Sequence, residues 1–176
     1  MLGVDKSLPF KPVRIAVLTV SDTRTVENDR SGDLLVARLE QDGHILAARQ
    51  IIIDDAAQIV QVLNQWIDDP EIDCVITTGG TGLTGRDVTP EAFAAVREKD
   101  IPGFGEYFRW MSAQKIGTST IQSRAMAVLS RGTYLFALPG STGACKDGWD
   151  EILHYQLDFR HRPCNFVELM PRLREV

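Results

Sequence analysis

The chain is poor in the residues that staple or metallate small proteins. It has three cysteines, Cys74, Cys145 and Cys164, among 176 residues, far apart and without a CxxC pair. That excludes a disulfide framework and a cysteine-rich zinc site, and it fits free thiols in a reducing compartment. The three histidines, His44, His154 and His161, lack metal-ligand spacing, so no histidine metal cluster is expected. No apolar run approaches the ~18–20 residues that span a bilayer. The opening MLGVDKSLPFKPVR lacks the charged, apolar and small-residue order of a secretory signal. No membrane association and a cytoplasmic address are therefore the expectation. Positive charge is also short: 24 acids against 19 bases leave a net charge of −5. Such a surface does not suit nucleic-acid phosphates, and no nucleic-acid partner is expected. A small anion held by backbone amides or through a divalent cation is still allowed.

What is present is an alternation of strands and helices in a chain long enough for one domain. Residues 1–12 read as an extended arm with Pro9 and Pro12, and residues 13–176 as a single α/β domain. Arg14 to Val20, RIAVLTV, is an apolar, β-branched run of the kind buried on both faces of a sheet. Leu34, Leu35, Arg38 and Leu39 set helical spacing across Ser31 to Gln41, with Gly43 as the stop. A strand is expected over Ile45 to Ile53, ending at Asp54-Asp55. Ile59, Leu63, Trp66 and Ile67 form the stripe of a second helix, Ala56 to Asp68, that ends before Pro70. Further strands are expected over Ile72 to Thr77 and Tyr134 to Leu138. Helices are expected from Pro90, irregularly over Glu106 to Gln114, and from Trp149 to Leu157, ahead of an extended tail with Pro163 and Pro171. Trp66, Trp110 and Trp149 read as core or subunit-contact residues. Such alternation implies right-handed βαβ units around a mainly parallel sheet. Ligands of such sheets bind beyond the carboxyl ends of the strands. Here those ends are Ser21-Asp22, Asp54-Asp55, Thr78 to Gly82 and Pro139 to Ser141.

The stretch TTGGTGLTGRDVTPEA, Thr77 to Ala92, carries the strongest signal. Gly79, Gly80, Gly82 and Gly85 follow a strand within seven positions. Glycines without a Cβ let successive N–H groups converge on one concavity, a nest suited to an oxyanion. No Gly-Lys-Ser/Thr follows, and GxGxxG spacing is absent, so neither a Walker loop nor a dinucleotide fingerprint is present. Thr89 reads as an N-cap, with Pro90 at the first helical position and Glu91 in the first turn. That rigid start restrains Asp87, whose carboxylate pairs with Arg86 in the loop, stabilises the turn, or holds Mg²⁺ against phosphates.

TGGTGLTGRDVTPEA resembles the signature of the MoaB/MogA family of molybdenum cofactor biosynthesis proteins. The resemblance extends to AVLTVSDTR, IPGFGEYFR (Ile101 to Arg109), IGTSTIQSRA (Ile116 to Ala125), LPGST (Leu138 to Thr142) and RPCNF, from about Pro12 to Phe166. The tail places it nearer the B-type branch than the longer MogA type. The resemblance implies a three-layer α/β/α domain with a mixed central sheet, assembled as homotrimers or as hexamers built from two trimers. It also implies a reaction in which Mg²⁺–ATP adenylylates molybdopterin, releasing pyrophosphate; the alternative is a non-catalytic molybdopterin-binding accessory protein. By resemblance Asp54 and Asp87 are the catalytic, Mg²⁺-holding acids, and Thr78, Gly79, Gly80, Thr81 and Gly82 wrap ligand phosphates. Ser21 and Asp22, with Pro139, Gly140 and Ser141, would complete the wall. Gly105 and Glu106 belong to the GFGE element, where Glu106 orders pocket loops or positions ligand. Each secondary choice has a plain structural reading too. Asp54 could serve as a helix N-terminal acid, Ser21 and Asp22 as turn residues, and Glu106 as a partner of Arg109 or Arg124. Ser141-Thr142 stands where MogA-type relatives carry a further proline. Some B-type relatives lack the RDVTP aspartate; this chain keeps it.

Overall fold

The central strand shows how the sequence builds its layers. In the structure, a computed structural model that describes residues 3–175, β2 (Arg14–Val20) is buried at every position but Arg14. Its odd positions Ile15 and Val17 join one core with Leu35, Phe104, Phe136 and Trp149. Its even positions Ala16, Leu18 and Val20 join a second core with Ile59, Leu63, Phe93 and Leu135. Alternate side chains of a strand point to opposite faces, so an apolar run without alternation requires cover on both sides. The expected three layers follow.

The cover comes from α1 (Arg30–Gln41), α4 (Pro102–Ile116) and α5 (Thr142–Gly148) on one face, and from α2 (Ala56–Ile67) and α3 (Thr89–Val96) on the other. Asp29 and Asp55 cap α1 and α2 by accepting from the amides of Gly32 and Gln58. The main sheet has six strands in the order β3-β2-β4-β7-β6-β5, with β3 at Ile45–Ile52, β4 at Cys74–Thr78, β5 at Lys99–Asp100, β6 at Met126–Ser130 and β7 at Thr133–Leu138. The first four run parallel; β6 is antiparallel to β7 and β5 to β6. The chain leaves β2 toward β3 and then crosses back to β4 on β2's other side. That reversal opens a crevice at the carboxyl ends of β2 and β4. Among the described residues no helix is long and apolar enough to cross a membrane.

Several local expectations are corrected. β6 is a strand that the sequence reading does not contain. It joins β7 through Arg131-Gly132, both at positive φ (47° and 88°), a two-residue turn that matches strand twist. Helix α4 is regular over 15 residues, where an irregular Glu106 to Gln114 stretch is expected. Exposed Tyr107 and Trp110 beside the buried Phe104, Phe108 and Met111 blur its amphipathic stripe. Trp66 and Trp149 are core residues, whereas Trp110 is 61% exposed. The last long helical stretch begins at Thr142, not Trp149. Ser141 caps it through the Ala144 amide, and Gly143 and Gly148 hide its helical character in the sequence. It runs through a wide turn at Trp149–Leu153 into α6 (His154–Gln156). The N-terminal arm is pinned: β1 (Gly3–Val4) pairs with β8 (His161–Arg162). The tail is not wholly extended either, because Asn165 caps α7 (Phe166–Leu169) by accepting from the Glu168 amide.

Candidate functional site

A cleft of about 520 Å³ opens at the crevice between β2, β4 and β7. Its floor is the loop that leaves β4. Gly79 and Gly80 both take positive φ, 102° and 65°, a backbone that other residues reach only with strain. The close approach is equally demanding, since a Cβ on Gly79 would stand 2.1 Å from the Val20 carbonyl oxygen. The carbonyls of Gly79 to Gly82 are all engaged by protein donors. Thr89 Oγ1 donates to Gly79 O at 2.9 Å and the Thr89 amide to Gly80 O at 3.0 Å. The Arg124 amide donates to Thr81 O at 3.2 Å, and Arg124 Nε to Gly82 O at 2.8 Å. Among the described residues the amides of Gly80 and Thr81 find no protein acceptor. Carbonyls tied to protein donors beside amides left without an acceptor fit an anion nest.

Thr89 therefore does not cap α3 as expected. It is the first helical residue, Val88 precedes it as the cap without a side-chain bond, and its hydroxyl instead ties the helix to Gly79.

Two acids flank the nest. The Asp54 carboxylate lies where a Gly80 Cβ would come within 3.0 Å of Oδ1, and the Asp87 carboxylate where a Gly82 Cβ would meet Oδ2 at 2.8 Å. Their states differ. Burial, and then the negative charges of Asp22 and Asp87, push the Asp54 carboxyl above its usual range. Burial would also raise Asp87, but bonds from the Thr84 hydroxyl and amide and from the Gly82 amide outweigh it and hold Asp87 low. Thr84 donates to Asp87 Oδ2 at 2.6 Å from Oγ1 and at 2.9 Å from its amide. Asp87 is not in a pair with Arg86. Arg86 turns to Asp22 instead, Nη2 to Oδ1 at 2.7 Å and Nε to Oδ2 at 2.9 Å.

Ser21, Thr78, Thr81, Pro139 and Gly140 line the same cleft. Asp22 stands at its rim, where Oδ1 accepts from the Asp54 amide at 3.1 Å. Asp54 does not cap α2; Asp55 does. Ser141 lies behind the Pro139-Gly140 turn and spends its hydroxyl on α5. Gly105 and Glu106 lie outside the cleft: Gly105 is buried where α4 meets Ala125, and Glu106 is exposed with no ion pair to Arg109 or Arg124.

The cleft also holds residues that the sequence reading passes over. Arg24 and Arg86 supply cations, and Thr19, Thr23, Ser31 and Gln122 supply polar edges. Beneath them, fully buried Asp29 accepts from Thr19 Oγ1 at 2.7 Å and pairs with Arg49 at 2.9 Å. Thr78 Oγ1 lies 3.0 Å from Cys145 Sγ, whose thiol burial has pushed up to about 12. Thr19, Thr23, Arg24, Arg86 and Gln122 stand inside the motifs quoted above without being singled out for the site, and Asp29 carries the signal of an acid one residue before a helix.

Among the described residues no three His, Cys, Asp or Glu side chains gather as a metal site. A cation here would take at most two carboxylates, Asp54 and Asp87, with phosphate oxygens and water for the rest, as nucleotide-bound Mg²⁺ does. The raised Asp54, in the field of Asp87, fits a site that a cation would relieve.

Residues 16–158 match the sequence family described as "Probable molybdopterin binding domain". The chain is 44% identical to molybdenum cofactor biosynthesis protein B of Escherichia coli strain K12 over 160 residues, 91% of this chain and 94% of that one. A crystal structure of a molybdenum cofactor biosynthesis protein B superposes with a TM-score of 0.84 at 37% identity, covering 93% and 96% of the two chains. The tungsten cofactor synthesizing protein MoaB of Pyrococcus furiosus superposes with a TM-score of 0.73 at 36% identity, covering 81% and 91%. By this match and these relatives the chain belongs to the molybdopterin-binding domain family and, within it, to the MoaB/MogA group.

Proposed function

We propose that the chain acts in molybdenum or tungsten cofactor biosynthesis by binding molybdopterin and adenylylating it with Mg²⁺–ATP, releasing pyrophosphate. One observation carries this reading: the Gly80 and Thr81 amides, without a protein acceptor among the described residues, share one cleft with two carboxylates whose protonation is tuned in opposite directions. The relatives' names support the pathway, and the geometry supports the chemistry. Two anions, the pterin phosphate and the nucleotide, must meet. The residues therefore act by positioning and by spreading charge rather than by moving protons. The Gly80 and Thr81 amides would hold one phosphate, with Arg24 and Arg86 as neighbouring cations. Asp87, held low, is ionised at neutral pH and available to a cation. Asp54 closes the opposite side. When bound between them, Mg²⁺ would neutralise phosphate charge and orient the α-phosphate.

Incubating the protein with molybdopterin, ATP and Mg²⁺, followed by mass analysis, tests the reading. Adenylyl-molybdopterin is expected from the wild type and about 100-fold less, or lower still, from Asp87→Ala. Stoichiometric pterin binding without product would instead establish the accessory-protein alternative. Absence of both pterin and nucleotide binding would overturn both. The same reading places the chain in a homotrimer or a dimer of trimers, which light scattering measures directly.

A further inference from the structure

Two segments stand outside the chemistry described so far, IPGFGEYFR on α4 and IGTSTIQSRA ahead of β6. They meet behind the wall of the cleft. Arg124, between Ser123 and β6, is the meeting point. Its amide and Nε hold Thr81 O and Gly82 O, its Nη2 donates to the backbone carbonyl of Asp87 at 2.8 Å, and its Nη1 pairs with Glu91 in the first turn of α3. One guanidinium thus fastens both ends of the Gly82 to Asp87 loop and the helix that follows. From the other side, Arg109 Nη1 donates to Ala125 O at 2.8 Å and to Ser123 O at 3.4 Å. Gly105 permits that approach, since a Cβ there would stand 2.4 Å from Ala125 O and 3.0 Å from the Arg109 guanidinium.

We propose that Arg124 is the positioning residue of this loop: by holding the Thr81, Gly82 and Asp87 carbonyls it fixes the peptide units on either side of Gly82 and the Asp87 carboxylate at the cleft, with Gly105 and Arg109 bracing it from α4. Its kinetic consequence rests on the adenylylation reading; its effect on the loop does not. A lysine keeps the charge and loses the planar fork that spans three acceptors, so Arg124→Lys separates geometry from electrostatics.

The test compares wild type, Arg124→Lys and Arg124→Gln, alone and combined with Asp87→Asn. It reads amide hydrogen exchange by mass spectrometry and turnover by product analysis. Both Arg124 variants are expected to exchange about 10-fold faster over residues 80–88, with β4 and β7 unchanged. Turnover is expected to fall about 10- to 100-fold, with KM for ATP changing less than kcat. In the Asp87→Asn background the same substitutions should cost less than about 3-fold, because residues acting through one another are not additive. Wild-type exchange over residues 80–88 in Arg124→Lys would overturn the proposal. So would faster exchange spread equally into β4 and β7, or an equal kinetic penalty in both backgrounds. A wild type that makes no product would sink the adenylylation reading, while the exchange data would still decide the role of Arg124.

Discussion

The cleft at the carboxyl edge of the sheet and the hollow between α4, α6 and the tail each enclose about 520 Å³, and they offer a ligand opposite surroundings. The hollow is walled by Phe104, Tyr107, Tyr155 and Phe166, with Glu151, Gln156 and His161 as its polar members. The cleft is walled by backbone amides, hydroxyls, two arginines and two acids. Equal volume therefore says little about use. What separates the two regions is how the backbone is committed. Around the cleft, glycines hold strained or crowded positions that no other residue fills. Beside the hollow, a Cβ on Gly103 would meet nothing within 4 Å outside its own helix backbone, and its lack of a side chain serves no visible packing purpose.

Substitutions can break this contrast, and the largest effect is expected at Asp87. Asp87→Ala should lower adenylylation about 100-fold or more, roughly 2.7 kcal/mol in the barrier, in the mass assay of product. Gly79→Ala comes next. The positive φ and the contact with the Val20 carbonyl should cost about 2–3 kcal/mol of stability in urea unfolding, with loss of ligand binding. Gly103→Ala should behave oppositely, gaining up to about 0.5–1 kcal/mol of helix stability and leaving pterin binding intact. A like response of the two glycines would show that cleft and hollow commit their backbones in the same way.

The two acids sharpen the comparison further, with smaller effects. Asp54 has a folded carboxyl raised by burial and neighbouring charge, so its ionised form opposes folding. Asp54→Asn should raise the melting temperature at neutral pH by a few degrees, and the gain should vanish below the ordinary carboxyl range near ~3.9, where both states are protonated. Asp87 is held low, so its ionised form favours folding. That stability is present above the ordinary carboxyl range and is lost as pH falls through the depressed folded value. Asp87→Asn should therefore lower the melting temperature at neutral pH and change little in strong acid. Thermal scans from acid to neutral pH would show whether the two variants move in opposite directions.

Much of this was legible in residue order. The unalternating run at β2 demands two covering layers, and the glycines after β4 demand a backbone that others cannot adopt. Asp54, just past the end of β3, falls beside the nest because parallel strands bring their carboxyl ends together. What escaped depends on partners far along the chain. β6 reads as an ordinary apolar patch until it pairs with β7. Arg124 becomes informative only when the carbonyls 37 and 42 positions before it come within reach. Thr89 looks like a cap by spacing, yet Gly79 claims its hydroxyl. Local pattern gives elements and their order; the donors that settle a loop are chosen by tertiary approach.

The cysteine beneath the cleft has a practical consequence. Cys145 is wholly enclosed and its thiol stays protonated far beyond physiological pH, while Cys74 is sealed within the sheet and Cys164 alone is exposed. Alkylating reagents and mild oxidants need a thiolate within reach. They should accordingly mark this protein once, on the tail beyond β8, and a dye attached there would leave the residues of the cleft untouched.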